Sequence, residues 1–461
     1  MVVLLMIIAV LLIGMVRGAF LPPIVLMVIY LFFTIRFLVK YRGNNLFCFE
    51  TLFFLICFVI TFFTDVFLSL FDSVSAVLTH TTFSDGVHLK SITVQVLAVL
   101  LYILGGTLSE RKHVKQQISF SSYRVFHRPF DFSTAATITS ILTFIYIIFL
   151  FLLGDMSSWF KYGDSSDSYS NTSVANLTVL CLISTVLEFT RLSSRGVRSF
   201  KSAVVSVNKA YLLAVVFTGG IMLLSGNRNE ALLVLLPILF SYSIFVKKIT
   251  NANFIVLVIV GVFVMVFIGL TRDIGVSSSS IESVSLDLYS FFQDFGPASI
   301  CSDYLIEYTD RSGPIWFGNA FLFLVSSIPF LGGVISSVLG INYVTRSTMI
   351  TTEGMQLSNN MESGLGTNLV GDVYYTGGFL FVLVFFFFLG FIMSKSYKML
   401  FIEKNYNIWL LLNYVFCTSN AIYYARAEWT MPLWYVGFSY FILCIVWLFA
   451  HKGNKFNRET N

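Results

Sequence analysis

Three arginines lie in polar positions at the ends of long apolar stretches of the sequence. They are Arg228, Arg272 and Arg426. A guanidinium group presents a planar fork of donors that binds phosphate oxygens bidentately. If the three converge at one depth near a membrane surface, they form a site for a phosphate or pyrophosphate carried by a lipid. Each also has an acidic residue within two positions, so local ion pairing or lipid head-group anchoring is the alternative.

Further charged residues with matching chemistry precede residue 373. Arg311 and Arg346 are additional candidates for binding a pyrophosphate, and Arg272 is a candidate for catalysis as well as binding. A carboxylate within hydrogen-bond reach of an attacking hydroxyl can act as its general base. Asp372 and Glu362 are the candidates for that role. The alternative for Asp372 is an N-cap of the helix that follows, a position where aspartate is common.

Several chemical motifs are missing from the sequence. It contains no phosphate-cradling Gly-Lys-Ser loop, no paired metal-ligating histidines and no Cys-x-x-Cys, which argues against an ATP-driven pump or a zinc site. We therefore predict no metal and no cofactor. Of the six cysteines, only Cys301 is expected in an outer loop, so we expect no intramolecular disulfide there.

The composition assigns the class of protein. Hydrophobic residues make up 57% of the 461 residues and charged residues only 11%, against about 25% charged in ordinary soluble proteins. Phenylalanine alone contributes 50 residues. A soluble fold cannot hide so much apolar surface, which excludes cytosolic enzymes, secreted disulfide scaffolds and nucleic-acid binders.

Twelve apolar stretches are candidates for membrane spans. A helix that crosses a hydrocarbon core of about 30 Å needs about 20 apolar residues. Because the stretches are unbroken, they predict helices rather than the alternating strands of a barrel. The predicted spans are 2–16, 19–38, 46–70, 91–108, 134–153, 173–190, 203–224, 231–246, 253–270, 373–393, 407–424 and 431–449. We predict an all-α polytopic integral membrane protein of about twelve transmembrane helices, forming one transmembrane helical domain over residues 1–461.

The distribution of charge predicts the orientation of these spans. With the N-terminus in the cytoplasm, 21 of the 29 lysine and arginine residues fall in inner loops, and 18 of the 24 acidic residues lie outside or near outer helix ends. This is the positive-inside pattern. It predicts a multi-pass protein whose N-terminus and C-terminus are both cytoplasmic.

The connection over residues 271–372 is by far the longest outer loop. Its stretch Ile315–Val338 is apolar but is interrupted by Pro329. If this stretch crossed the membrane once, the lysines of the later inner loops would face outward. We therefore predict short broken or re-entrant helices here, with two short tilted spans as the alternative. The stretch Asp287–Tyr308 predicts an amphipathic helix. Because long loops in compact proteins are usually functional or disordered, and this one is rich in aromatic residues, we expect it to form part of the active site.

One segment of the sequence resembles a known family. The residues from Gly364 to Tyr375 read GLGTNLVGDVYY and lead into Gly377-Gly378 and an apolar span. This segment resembles the one before a late helix of the O-antigen polymerases of the Wzy type. Arg228 and Arg272 are similar to arginine positions of that family, as is the plan of about a dozen spans with one long outer loop. Asp372 stands where the family usually has glutamate, although the carboxylate is retained.

The resemblance implies an activity and a setting. It implies a metal-independent glycosyltransferase, with an architecture similar to the GT-C enzymes, in the bacterial inner membrane. Such an enzyme polymerises undecaprenyl-pyrophosphate-linked oligosaccharide repeat units on the periplasmic face, in lipopolysaccharide biosynthesis. It transfers the growing glycan from the lipid pyrophosphate donor to a sugar hydroxyl of the acceptor repeat unit. The implied partners are these lipid-linked units, membrane lipid and a chain-length regulator (a polysaccharide co-polymerase).

Two other functions are open at the level of sequence. An O-antigen ligase shares this overall plan but uses a histidine in the long outer loop, which has none. A lipid-linked oligosaccharide flippase would show short loops throughout and charges lining a cavity at mid-membrane depth. The sequence favours the polymerase over both.

Overall fold

The structure, a computed structural model, is helical throughout its described part except for one two-residue strand pair. It describes residues 1–43, 45–67, 83–110, 124–125, 128–129, 131–152, 168–224, 228–261, 263, 296–318, 346–359, 366–403 and 407–456. The strand pair joins β1 (Arg124–Val125) to β2 (Arg128–Pro129) in antiparallel register.

Sixteen α-helices are described, together with two π-helical turns. The helices are α1 (Val2–Arg17), α2 (Pro23–Arg42), α3 (Phe49–Thr61), α4 (Asp85–Glu110), α5 (Phe132–Leu152), α6 (Ser168–Ser194), α7 (Phe200–Ser206), α8 (Lys209–Leu224), α9 (Arg228–Phe245), α10 (Asn251–Gly261), α11 (Gly296–Ser312), α12 (Ser347–Asn359), α13 (Leu369–Tyr397), α14 (Ile408–Ser419), α15 (Ala421–Tyr424) and α16 (Met431–Phe456). The π-helical turns are Phe63–Phe67, after α3, and Lys398–Ile402, after α13.

The apolar helices make this a polytopic membrane protein. Six of the described helices are long and apolar enough to cross a membrane, and the bent pair α7–α8, with an angle of 101° between its helices, makes up to seven. Five further apolar helices are 10–17 residues long. Each of the twelve predicted stretches overlaps an apolar helix, but the stretch predicted as one helix over 203–224 is the bent pair α7–α8, and the one over 253–270 is described as a helix only to Gly261.

Two predicted spans differ from the structure in a way that matters for function. The third was predicted as one helix over 46–70, but α3 ends at Thr61 and a π-helical turn follows it. The tenth was predicted over 373–393, but α13 begins earlier, at Leu369, and ends later, at Tyr397. The apolar pattern of the sequence does not reveal these boundaries. Neither the π-helical turn after α3 nor the first turn of α13 changes that pattern much.

The chain divides into two compact units. The first consists of Met1–Gln116, Asp287–Lys398 and Ala421–Trp434, and the second of Gln117–Leu286, Met399–Asn420 and Tyr435–Asn461. The single domain predicted for residues 1–461 stays a prediction.

The second unit is built on α5, α6, α8 and α9. Its core includes Ile147, Leu177, Met222 and Val234. At the end of α6, Glu188 is buried and its carboxylate accepts from Nε of Arg191 at 2.8 Å and from the backbone N–H of Asn208 at 2.8 Å. The Glu188 carboxylate therefore binds both Arg191 and Asn208, the residue at the bend between α7 and α8.

In the first unit, α4 packs most extensively against α13. The two helices approach through glycines that face each other's backbone: a Cβ at Gly105 would overlap the carbonyl oxygen of Phe387, and one at Gly390 would overlap that of Tyr102. Small residues of this kind let helix backbones approach closely where apolar burial gives little driving force between helices in lipid. The crossing of α4 and α13 depends on both glycines.

Helix α13 is broken near its N-terminal end. Gly377 and Gly378 have non-helical backbone angles, and Gly378 has φ 66° and ψ −168°, a region that only glycine adopts readily. The break removes the helical partners of two carbonyl groups. Backbone N–H groups of Ile315 and Phe317 replace them, donating to the oxygens of Tyr375 and Thr376 at 3.1 Å each. The segment Leu369–Thr376 is thus a separate short helix whose last two carbonyl groups accept hydrogen bonds from another segment.

The long loop contributes two described helices to the first unit. Helix α11 spans Gly296–Ser312, so the amphipathic helix predicted over Asp287–Tyr308 exists, but it ends four residues later. Residues 287–295 lie outside the described part. The broken or re-entrant helices predicted for Ile315–Val338 fall largely on residues 319–345, which also lie outside the described part.

We predict that Gly390→Ala destabilises the protein by about 1–3 kcal/mol, because overpacking a tight contact forces the backbones apart. Gly220→Ala is the matched control, since a Cβ there meets nothing within 4 Å. Thermal unfolding of the detergent-purified protein measures both. Equal unfolding temperatures for the two variants would contradict the tight crossing.

Candidate active site

The predicted base Asp372 lies in the first turn of α13 and does not cap it. The N-cap is Asn368, whose Oδ1 accepts from the backbone N–H groups of Val370 at 2.8 Å and Gly371 at 3.1 Å. The N-cap alternative for Asp372 is therefore wrong: the helix begins four residues earlier than an aspartate cap at 372 requires. The Asp372 side chain is buried, and its Oδ2 accepts from the backbone N–H of Trp429 at 2.6 Å.

The turn before α16 is bound to the start of α13 at three points. Besides the bond from Trp429 to Asp372, the backbone N–H of Leu369 donates to Ala425 O at 3.2 Å. The indole Nε1 of Trp429 donates to Oγ1 of Thr376 at 3.0 Å, and that hydroxyl donates to the carbonyl oxygen of Asp372 at 2.8 Å. This turn therefore fixes the direction of the Asp372 carboxylate.

Aromatic rings hold Trp429 in place. Its indole makes edge-to-face contacts with Phe381 at a centroid distance of 5.2 Å, with Phe385 at 5.9 Å and with Phe317 at 6.5 Å. Such pairs contribute about 0.5–1.5 kcal/mol beyond the area they bury. Phe317 and its neighbour Trp316 have left-handed backbone angles, with φ 65° and 49°. Strain of this kind in non-glycine residues is typical of functional sites.

A second carboxylate, Glu428, lies beside Asp372. Its Oε1 accepts from Oγ1 of Thr348 at 3.0 Å, and its charge acts on Asp372. Burial raises the pKa of Glu428, and Arg346 partly opposes that rise. Two neighbouring carboxylates away from water do not ionise together readily. The pair is therefore suited to accepting a proton.

Two of the predicted arginines are close to this pair. Arg346 immediately precedes α12, where its carbonyl oxygen accepts from the N–H of Met349 and Ile350, and its exposed side chain acts electrostatically on Glu428. Arg426 is half-buried in the turn that carries Glu428 and Trp429. The site therefore combines an anionic pair with two cations of the first unit.

The other predicted residues are not brought to this place by the described structure. Arg311 lies at the C-terminal end of α11, with its side chain 76% exposed and paired to Glu307. Arg228 is the first residue of α9, in the second unit, and its side chain lies outside the described part, as do Arg272 and Glu362. Convergence of Arg228 and Arg272 with Arg426 stays a prediction.

Some residues of the site were not predicted from the sequence. Glu428 entered only as a neighbour of Arg426, and neither Trp429 nor Thr348 was singled out. Only the cluster of polar residues between two apolar spans could have drawn attention to Glu428. Across the described residues, no three or more His, Cys, Asp or Glu side chains are grouped to hold a metal ion.

The fold and this site define a polytopic helical membrane protein with a carboxylate pair and arginines at the end of a broken helix. A family model described as O-antigen polysaccharide polymerase Wzy matches residues 1–455, and the chain belongs to this family. The protein is a membrane glycosyltransferase that polymerises lipid-linked O-antigen repeat units, which confirms the prediction of a polymerase. No curated protein and no solved structure matches the chain.

We predict that Asn368→Ala destabilises the start of α13 by about 0.5–2 kcal/mol, the usual cost of losing an N-cap side chain. Asn368→Asp is the control, because aspartate caps as well as asparagine. Hydrogen exchange of the backbone amides of residues 370–373, followed by mass spectrometry, measures the effect. Equal protection in the two variants would show that Asn368 is not the cap.

Proposed function

We propose that Asp372 is the general base of the polymerisation and that arginines bind the pyrophosphate of the donor. The acceptor is a sugar hydroxyl of an incoming lipid-linked repeat unit. Its oxygen forms a bond to the anomeric carbon of the growing glycan while its proton passes to the Asp372 carboxylate. The bond from that carbon to undecaprenyl pyrophosphate breaks, and the pyrophosphate leaves with the bonding electrons. Glu362 remains the second candidate for the base.

The surroundings of the Asp372 carboxylate are the main support for this proposal. The carboxylate accepts from the N–H of Trp429 and is also hydrogen-bonded by the Ser347 side chain, and these two groups orient it. Because the two oxygens of a carboxylate offer about four acceptor positions, an acceptor hydroxyl is proposed to use one that remains. The neighbouring charge of Glu428 favours uptake of a proton by the pair. A base of this kind contributes about 10²–10⁴-fold to a proton-transfer step.

Arg346 and Arg426 are proposed to stabilise the leaving pyrophosphate, together with Arg228 and Arg272. Preorganised cations in a partly dry site stabilise developing negative charge more than they would in water. Arg346 is the better candidate of the two from the long loop, because its charge acts on Glu428 beside Asp372, whereas Arg311 is paired with Glu307 at the C-terminal end of α11. A fork of donors suits a diphosphate, so no metal is required by this scheme.

We further propose that the chain crosses the bacterial inner membrane twelve times, with both termini in the cytoplasm and the site on the periplasmic face, in a GT-C-like architecture. The twelve apolar helices and the positive-inside distribution of lysine and arginine support this topology. Undecaprenyl pyrophosphate as the lipid carrier and a chain-length regulator as a partner are proposed from the family.

We predict that Asp372→Asn abolishes polymerisation, lowering the rate by about 10²–10⁴-fold because no base remains at that position. In a strain that lacks the native gene, lipopolysaccharide gels of this variant should show core bearing a single repeat unit.

The matched control is Asp310→Asn, a carboxylate of the same unit that accepts from the Tyr374 hydroxyl at 2.7 Å. It should retain long chains. Long chains from Asp372→Asn, expressed at the normal level, would eliminate Asp372 as the base.

We predict that Arg346→Ala and Arg426→Ala each lower kcat by about 10²–10³-fold, the cost of losing a group that stabilises transition-state charge. Arg426→Lys should recover only part of the rate, because an ammonium group lacks the bidentate fork. Rates are measured with purified enzyme and lipid-linked repeat units.

Arg311→Ala is the control for these variants and should change the rate by no more than about twofold, because its exposed ion pair contributes little. If it costs as much as the other two, the assignment of the arginines is wrong.

A further inference from the structure

His88 lies between two carboxylates that belong to different parts of the first unit. Its Nδ1 is 2.7 Å from Oδ2 of Asp303, and its Nε2 is 3.2 Å from Oδ2 of Asp65. His88 is in the first turn of α4, Asp65 is in the π-helical turn after α3, and Asp303 is in α11. One imidazole thus joins three elements that are far apart in sequence.

The two contacts define the charge of the ring. Ionised carboxylates only accept hydrogen bonds, so both ring nitrogens must donate, and only the imidazolium form can do so. Asp303 is nearly fully buried, with a side chain 7% exposed. Burial raises the pKa of Asp303, and the hydrogen bond and charge of His88 oppose that rise. His88 therefore compensates a carboxylate that would otherwise be buried without a cation.

His88 makes one of several contacts along the seam between α4 and α11, where Asp303 also has a hydrogen-bond partner in Ser91. Next to it, Oγ of Ser91 donates to Oγ of Ser302 at 3.0 Å, and further along Lys90 pairs with Asp310. The Lys90–Asp310 pair is more exposed than the His88–Asp303 pair. Since exposed pairs contribute little, His88 is the strongest charged contact in this seam.

The opposite face of α11 supports the start of α13. The Cys301 thiol contacts the carbonyl oxygen of Gly366 at 3.7 Å. A Cβ at Gly371 would be 3.2 Å from the Cα of Ser302 and 3.1 Å from Cδ1 of Leu305. Residues of α11 on either side of Asp303 therefore contact Gly366 and Gly371, which precede Asp372.

We propose that His88 is a positioning residue of the polymerase, whose imidazolium, held between Asp65 and Asp303, fixes α11 against α4 and thereby places the turn that carries Asp372. The role at Asp372 rests on the function proposed above. The docking of α11 is a separate, structural claim. The two parts can be tested independently, because Cys301 reports on docking without any assumption about the base.

The first experiment follows alkylation of Cys301 by a small maleimide in the full-length protein in lipid nanodiscs, with peptide mass spectrometry to read this thiol alone. Cys301 is buried, and burial raises the pKa of its thiol to about 12, so the native protein should react slowly. In His88→Gln and Asp303→Asn, we expect alkylation to accelerate at least about tenfold, because local opening exposes the thiol. Unchanged protection in both variants would overturn the proposal.

The second experiment measures kcat and KM per folded enzyme. A displacement of about 1 Å at a reacting group can cost about 10²-fold in rate, so we expect kcat to fall at least about tenfold and KM to stay within about twofold. The double variant His88→Gln/Asp303→Asn should be no slower than the slower single variant, since the two residues act as a unit. Losses that multiply independently, or faster alkylation without a loss of kcat, would overturn the positioning role.

Two further variants complete the design. Lys90→Met removes the exposed contact of the same seam and should leave alkylation and kcat within about twofold of the native values. An effect equal to that of His88→Gln would show general loosening and refute a specific role for His88.

Asp65→Asn removes the more exposed carboxylate partner of His88. It substitutes for His88→Gln if the latter does not fold, and we expect a smaller acceleration of alkylation and a smaller fall in kcat. If Asp372→Asn stays active while Cys301 is exposed as expected, the function proposed for Asp372 fails and the docking claim stands.

Discussion

The geometry of the candidate site depends on one constraint, the need to satisfy the backbone groups of a helix that breaks among apolar residues. At Gly377–Gly378 the break in α13 leaves two carbonyl groups without helical partners, which would be costly in a membrane. The N–H groups of Ile315 and Phe317 satisfy them. The segment Leu369–Thr376 can then take its own direction, independent of the long apolar helix that follows. A straight α13 would place the Asp372 carboxylate at a different angle, away from the backbone of Trp429.

The electrostatics of the site follow from that placement. Asp372 and Glu428 form a pair of carboxyl groups with little access to water, and burial raises the pKa of Glu428. Arg346 and Arg426 supply positive charge in the same unit. In the proposed reaction a diphosphate adds more negative charge, so the cations must serve both the protein and the substrate. Transfer of the acceptor proton to a carboxylate removes one anion from the protein as negative charge develops on the leaving group. The net charge of the site therefore changes less than either event alone would change it.

Much of the fold could be predicted from the sequence, but the site could be predicted only in part. Apolar stretches are a local signal, and every predicted span overlaps an apolar helix, although several bounds differ. Asp372 was also singled out locally, through its motif, and its role as the base stays a prediction. Contacts between distant residues were not predictable: His88 and Asp303 are 215 positions apart, and nothing in the spacing of either one indicates the other. Likewise, the bond from Trp429 to Asp372 uses a backbone N–H, which every residue except proline carries, so residue type gives no indication of it.

Asp372, Thr376 and Gly378 depend on one another at the start of α13. An aspartate carboxylate stays close to its own backbone, and the N–H of Trp429 lies 2.6 Å from Oδ2 of Asp372. The turn that carries Trp429 is held in place by the bond from Trp429 to Thr376, which lies just before the glycine pair. Gly378 in turn allows the break that ends the short helix at Thr376. The Asp372 carboxylate, the Thr376 hydroxyl and Gly378 thus form one connected set: the first two bind the turn that carries Trp429, and the third ends the short helix that carries them.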